Sequence, residues 1–284
     1  MIDIRATVVG LGFTGRTHIA SLRRLGIDVC GVMGVNVQES RMAAAEMNLG
    51  CVYNNYEELL SDPIVTVVHL CTPNHLHYPQ AKAALLAGKH VVCEKPLAMT
   101  SEESAELVAL ARKQGVIAAV NYNLRFYPLV QEARVRIAKG EIGMPYLIHG
   151  GYLQDWLLLK TDWNWRLNPE QGGLLRVVAD IGTHWMDMVT YLTGMKITAV
   201  MADLVTLLPT RIKPAVEVET FASNVQAGEE VRVTTEDAAM LLVRFENGAR
   251  GTVTLSQASA GHKNHLWWEV NGSKASMYWE QEDP

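Results

Sequence analysis

The stretch "VVGLGFTGRTH", residues 8–18, decides how the first part of this chain folds. An apolar β-branched run ends at Gly10, and Gly10, Gly12 and Gly15 follow with G-x-G-x-x-G spacing before a helical pattern. Gly10 allows a tight turn, Gly12 lets backbone N–H groups approach a pyrophosphate, and Gly15 lets helix and strand pack closely. Phe13 and Thr14 complete the turn, and the helix N-terminus adds partial positive charge. The spacing alone is weak evidence. Here it follows a strand, opens a helix and begins a strand–helix array, which is the setting that dinucleotide binding demands.

Working outward, apolar runs at 6–11, 27–33, 65–71, 89–94 and 115–122 read as short buried strands. Helical patterns lie between them at 14–25, 38–48, 77–87 and 101–114. Apolar strands alternating with amphipathic helices predict a doubly wound parallel sheet covered on both faces. The rhythm changes near residue 125, so 1–124 is expected to form a dinucleotide-binding domain and 125–284 a second, α+β domain. The second region shows a helix near 128–139, a strand at 145–153, a Trp-rich irregular stretch and a helix at 181–194. Strand patterns follow at 197–206, 236–246, 249–259, 265–272 and 274–281. "ENGARG" and "NGSK" signal hairpins, because Asn-Gly tolerates the positive φ of such turns. This predicts a mostly antiparallel sheet. A strand-like end at 276–284 would leave a sheet edge in need of cover, so further residues are expected beyond 284.

Bulk properties narrow the function classes. Hydrophobic residues make up 49% and charged residues 19%, as in an ordinary globular protein. The formal net charge of −5 gives no basic face for nucleic acid. No apolar run reaches the ~18 residues of a membrane span, and Asp3 and Arg5 argue against a secretory leader. Cys30, Cys51, Cys71 and Cys93 are scattered without a C-x-x-C, which reads as reduced thiols of a cytoplasmic protein.

Three later segments carry chemistry. "LCTPNHLH", 70–77, sets Thr72, Pro73 and Asn74 at the carboxyl end of a strand, where open α/β sheets bind ligands. Asn74 reads as a helix cap that can also line the cofactor site. His75 and His77 are too close for metal ligands on one helical face and read as exposed or capping. "VVCEKPLA", 91–98, ends a strand in Glu94-Lys95-Pro96, where a lysine can donate to a substrate oxygen. "DIGTHWMD", 180–187, spaces Asp180 and His184 four apart, on one face of a helix. The bland alternative for this pair is an N-cap aspartate with a half-buried histidine. No third ligand at suitable spacing supports a metal there.

The order of G-L-G-F-T-G, T-P-N-H, G-K-H-V-V-C-E-K-P, N-Y-N-L-R-F-Y-P and D-I-G-T-H resembles the Gfo/Idh/MocA family, named for glucose-fructose oxidoreductase, inositol dehydrogenase and rhizopine catabolism. The likeness spans essentially the whole chain. It implies a Rossmann domain, a second domain on a large open sheet, and an active site between them. The implied reaction is hydride transfer between NAD or NADP and a hydroxyl of a sugar, anhydrosugar or cyclic polyol. Lys95 matches the family lysine, and Asp180 with His184 its D-x-x-x-H pair. His184 would take the hydroxyl proton, Lys95 would hold the same oxygen, and Asp180 would orient the imidazole or bind a neighbouring hydroxyl. On the cofactor side the resemblance adds His77, Glu94, Trp165 and Arg166; on the substrate side, Asn123, Arg125 and Trp163. A homodimer or homotetramer is implied.

Some features stay open at this stage. Gly34, Val35 and Asn36 stand where an acid would bind the ribose of NAD, and Arg41 could meet a 2′-phosphate, so the cofactor is NAD or NADP. "QGGLLRVVADIGTH" departs from the family's G-G-G-x-L-x-D run and inserts Arg176, the mark of a distinct branch. Trp156, Trp163, Trp165 and Trp185 offer faces for sugar rings or simply core. His149 is a weaker candidate for the cleft, and the histidines near Lys263 and Asn264 read as solvated loop. A redox glycosidase and a non-catalytic dinucleotide sensor are the rival functions, because fold alone does not decide chemistry.

Overall fold

The computed structural model describes residues 4–215 and 228–283. It divides into two compact units, Met1–Asn121 and Tyr122–Pro284.

The first unit runs β1 (Arg5–Val9), α1 (Phe13–Arg24), β2 (Asp28–Met33), α2 (Val37–Glu46), α3 (Tyr56–Ser61), β3 (Val67–Leu70), α4 (Asn74–Leu86), β4 (His90–Cys93), α5 (Ser101–Gln114) and β5 (Ala118–Val120). The strands are parallel in the order β2-β1-β3-β4-β5, so the direction of winding reverses between β1 and β3. Ligands of doubly wound sheets bind at that reversal, beyond the carboxyl ends of the strands. All four residues of β3 are buried, as expected of a strand covered on both faces. Helix α5 shows how local chemistry sets boundaries. The Thr100 hydroxyl caps Glu103 N–H at 3.1 Å, Glu102 and Glu103 occupy the first turn, and Gly115 ends the helix at φ 66°. Sequence reasoning did not anticipate α3. It also started α4 at residue 77, although Pro73 caps it and Asn74 is its first helical residue. Asn74 is therefore not the cap it was expected to be.

The second unit opens with a 3-10 turn at Asn123–Phe126, followed by α6 (Pro128–Ala138) and β6 (Pro145–Leu153). A 3-10 turn at Trp165–Leu167, the single turn α7 (Pro169–Gly172) and a π turn at Val178–Gly182 lead into α8 (Thr183–Thr193). Then come β7 (Ile197–Val205), β8 (Thr210–Pro214), β9 (Gly228–Arg232), β10 (Ala238–Phe245), β11 (Arg250–Ser256), β12 (His265–Gly272) and β13 (Ser276–Glu280). Six strands form one sheet in the order β13-β12-β6-β11-β10-β7, antiparallel except where β11 runs parallel to β6. The separate β8–β9 ribbon was not foreseen. Among the described residues no helix is long and apolar enough to cross a membrane.

Period-two alternation gives this sheet one apolar face. Leu241, Val243, Val253, Leu255, Leu266 and Trp268 point inward and meet Trp185, Met188, Val189 and Leu192 of α8. Each such side chain contributes roughly 1.5–3 kcal/mol on burial. Gly150 is required here: a Cβ on it would come within 2.3 Å of the Trp185 indole nitrogen. The opposite face leaves Met201, Met240, Leu242 and Tyr278 exposed.

Candidate active site

In the first unit, the loops at the carboxyl edge of the sheet form a ligand-facing surface made mostly of backbone. Gly10 takes φ 88°, and a Cβ there would lie 2.6 Å from the Cys71 carbonyl oxygen; a Cβ on Gly15 would lie 1.9 Å from that of Gly10. Gly12 caps α1 without a side-chain hydrogen bond, the first turn carries no acid, and nothing lies within 4 Å of a Cβ built on Gly12. The N-terminus of α1 thus keeps its partial positive charge with no acid beside it and room at Gly12, which suits a pyrophosphate. At the end of β2, Asn36 accepts from Glu39 N–H at 2.9 Å, and Glu39 folds back onto Val35 N–H at 2.6 Å.

Behind these loops runs a buried histidine chain. His18 Nε2 lies 3.0 Å from Glu94 Oε1, and His18 Nδ1 lies 2.9 Å from His69 Nδ1. A neutral chain satisfies both contacts: His69 donates to His18, and His18 donates to Glu94. Asn121 donates a further bond to Glu94 at 2.6 Å. Burial, helped by His18, pushes His69 down to about 4. Burial would raise Glu94, but the His18 and Asn121 hydrogen bonds hold it below the usual carboxylate range. His77 corrects an expectation, for it is buried rather than exposed. Its ring nitrogens approach Pro96 O at 2.6 Å and Thr72 O at 2.8 Å. It thereby ties the Thr72–Asn74 turn to the Glu94–Pro96 turn, next to half-buried Lys95. Thr72 itself donates to Gln80 at 2.7 Å.

In the second unit, Asp180 and His184 lie on either side of the junction between the π turn and α8. Gly182 caps α8, so Asp180 is not the N-cap that the bland reading proposed. Its carboxylate is held from two sides, by Arg166 Nε at 3.0 Å and by Gln257 Nε2 at 2.7 Å. His184 is buried, edge-on to the rings of Tyr122 at 5.7 Å and Tyr152 at 6.2 Å. Burial pushes both phenols up, so they stay protonated at neutral pH. The Tyr152 hydroxyl donates to Asn264 Oδ1 at 2.6 Å.

A fully buried ionic group lies behind this pair. Arg176 donates to Gln257 Oε1 at 3.1 Å and pairs with Asp237, which also accepts from Arg211 at 2.8 Å. Burial would raise Asp237, but Arg176 holds it below its usual range. Glu236 accepts from the Arg176 backbone N–H at 2.9 Å. The insertion that marked a departure from the family pattern is thus a structural anchor. Sequence reasoning missed Tyr122, Tyr152, Asp237 and Gln257. Gln257 did carry a signal: Val253, Leu255 and Gln257 continue one alternation, which puts an amide where the next core residue belongs.

Other expected residues have mixed fates. Arg166 is engaged by Asp180 and lies over the Trp165 ring at 4.4 Å. Arg125 clamps Asp187 through both its Nε and Nη2, and lies 4.8 Å from the Tyr191 centroid; Asn123 is exposed in the turn before it. Trp163 and Trp156 pack on a small satellite core with Leu157, Leu167 and Val233. Trp185 is wholly buried and belongs to the main core. His149 pairs with Glu269 on the sheet face opposite α8, so it does not line a site with His184. All four cysteines are free.

Comparison with known proteins meets this geometry directly. The sequence pattern described as the oxidoreductase family, NAD-binding Rossmann fold, matches residues 4–122, and that of the GFO/IDH/MocA C-terminal domain matches residues 130–278. The chain belongs to the GFO/IDH/MocA oxidoreductase family. Levoglucosan dehydrogenase of Pseudarthrobacter phenanthrenivorans is 31% identical over 294 residues, covering 99% of this chain and 75% of that protein. The 1,5-anhydro-D-fructose reductase of Ensifer adhaerens is 38% identical over 267 residues, covering 91% of this chain and 70% of that one. A solved structure of levoglucosan dehydrogenase in complex with NADH and levoglucosan has a TM-score of 0.89 at 30% identity, covering 98% of this chain and 74% of that one. This GFO/IDH/MocA chain is an NAD-binding oxidoreductase related to sugar and polyol dehydrogenases.

Proposed function

We propose that this chain interconverts a secondary hydroxyl and a ketone on an anhydrosugar or a related cyclic sugar or polyol. The observation that carries the reading is His184, buried between two tyrosine rings one helical turn from the anchored Asp180 carboxylate. The dinucleotide fits the first unit, because the N-terminus of α1 carries partial positive charge with neither a side-chain cap nor an acid in its first turn. When bound, it supplies the hydride acceptor or donor. Gly10 to Gly15 would hold the pyrophosphate, with Thr72, Pro73, Asn74 and Glu94 beside the same strand ends. In oxidation, His184 takes the hydroxyl proton, since Tyr122 and Tyr152 are too weakly acidic to share that duty. The Lys95 ammonium donates to the same oxygen and favours its developing negative charge. Asp180, fixed by Arg166 and Gln257, presents a carboxylate of set orientation to a neighbouring hydroxyl. Arg125, Asn123 and Trp163 are proposed to contact substrate, and Trp165 and Arg166 the cofactor side. Relatives named for levoglucosan and for anhydrofructose favour the anhydrosugar.

The test is reduced-nicotinamide absorbance with NAD⁺ and NADP⁺ against anhydrosugars, aldoses and cyclic polyols, repeated with Lys95→Met and His184→Ala. Turnover with one pair, falling about 10²–10⁴-fold in either variant while NADH binding persists, is the expected result. Nicotinamide binding lost together with activity would remove the assigned roles. A flat trace from protein that still binds NADH would favour the redox glycosidase.

Met201, Met240 and Leu242, exposed neighbours on β7 and β10, form an apolar patch that a second copy would cover in a cytoplasmic homodimer or homotetramer. Light scattering is expected to give a multiple of the chain mass, and a strictly monomeric mass would end this part of the reading.

A further inference from the structure

The second unit carries a cluster of ligating side chains that the proton-transfer set does not use. His265 is the first residue of β12, and His262 precedes it by three positions. Their Nδ1 atoms face one another at 3.1 Å, and their rings stack with centroids 4.7 Å apart. Glu282 joins them from the segment after β13, its Oε2 3.7 Å from His262 Nδ1. One donor atom from each of the three lies within 4.8 Å of the other two.

We propose that His262, His265 and Glu282 bind one divalent transition-metal ion of the zinc class, through two imidazole nitrogens and one carboxylate oxygen. Zinc holds such ligands at about 2.0–2.2 Å, which puts neighbouring tetrahedral donors roughly 3.3–3.5 Å apart. The edges of 3.1 and 3.7 Å bracket that value. Two of the ligands are also braced from behind. Glu282 Oε1 accepts the backbone N–H groups of Lys263 at 3.1 Å and Asn264 at 3.0 Å, which leaves Oε2 toward the histidines. His265 Nε2 is buried without a hydrogen bond, and Glu280 Oε2 stands 3.5 Å from it. When a metal takes Nδ1, the ring proton must sit on Nε2, where it meets that carboxylate; carboxylate–histidine–metal triads are built this way. Without metal, one of the facing Nδ1 atoms donates to the other; when the ion takes both, the donating ring keeps its single proton by moving it to Nε2. Two imidazoles and one carboxylate disfavour magnesium and calcium, which prefer all-oxygen sets. Water would fill the fourth position. The ion would tie the start of β12 to the end of the described chain, at histidines that sequence reasoning left as a solvated loop and in a protein for which no metal was expected.

Cobalt(II) titration of the metal-free chain, followed by its visible ligand-field bands, tests the proposal. One equivalent is expected to bind with tetrahedral-type absorption and to be displaced by zinc. His262→Ala and Glu282→Gln alter side chains that are 40% and 37% exposed, so both variants should fold; each should abolish the band. Glu280→Gln should weaken binding about 10–100-fold. His149→Ala, on the same sheet face, should bind as the parent does. No saturable band, or the same band in His262→Ala and Glu282→Gln, would overturn the site.

Discussion

At the end of β1 the ligand-facing surface is made of backbone over six residues, Gly10 to Gly15. Around Asp180 the proposed site is made of side chains drawn from residues 166, 180, 184 and 257. The first surface is local, because its glycine spacing, strand and helix adjoin one another in sequence. The second is assembled over long separations: Gln257 lies 77 residues from Asp180 and 81 from Arg176. A local site can be read from a motif. An assembled site depends on a buried scaffold, and breaking that scaffold should do most of its damage far from the motif.

Asp237→Ala is the sharpest way to break the comparison. Both guanidinium groups that it faces, Arg176 and Arg211, are fully buried, and the variant leaves them without their carboxylate. Removing one partner of such a group typically costs about 3–5 kcal/mol. Denaturant unfolding should show a loss of that size, with NADH binding by the first unit retained. A loss below about 1 kcal/mol would mean that the ionic group does not anchor Asp180's surroundings.

How far the sequence could be read follows the same division. The parallel sheet and the Gly-rich turn were legible, because each rests on neighbours in sequence, and E-K-P and D-x-x-x-H could be singled out for the same reason. Asn74 was misread because a single residue shift separates a cap from a first helical position. His77 was misread because polarity hid its bonds to two backbone carbonyls, one of them 19 residues away. Asp237 and Arg176 look like ordinary charges until the fold buries them. The Trp-rich stretch divided the other way, since sequence alone did not separate Trp185 in the main core from Trp163 on the satellite core.

The first unit has its own assembled element, and pH should expose it. Burial holds His69 at about 4 in the folded state, against a usual value near 6.5. As pH falls from about 6.5 to 4 the unfolded chain takes up a proton that the folded one refuses, so stability falls through that window. His77, also lowered by burial, acts in the same direction. The lowered Glu94 contributes its loss only at more acidic pH. The His69 contribution is about 3 kcal/mol between the two limits. Urea midpoints measured across this range should fall with acid, and His69→Asn should flatten the slope. An unchanged slope in that variant would assign the pH dependence elsewhere.

The finest distinction concerns Gln257, which bridges the buried anchor and the Asp180 carboxylate. Its amide nitrogen donates to Asp180 and its oxygen accepts from Arg176, so Gln257→Leu removes both bonds and fills much the same volume. Arg166 still holds the other Asp180 oxygen, and Asp237 still holds Arg176, so the fold should survive. What changes is the freedom of the Asp180 carboxylate to turn. A loss of about tenfold in kcat, or roughly 1.4 kcal/mol, is expected, with the KM for nicotinamide cofactor unchanged. An equal loss in cofactor binding would show that the two surfaces are not separable in this way. Unchanged kcat would show that Arg166 alone orients Asp180, and that the long-range bridge serves stability only.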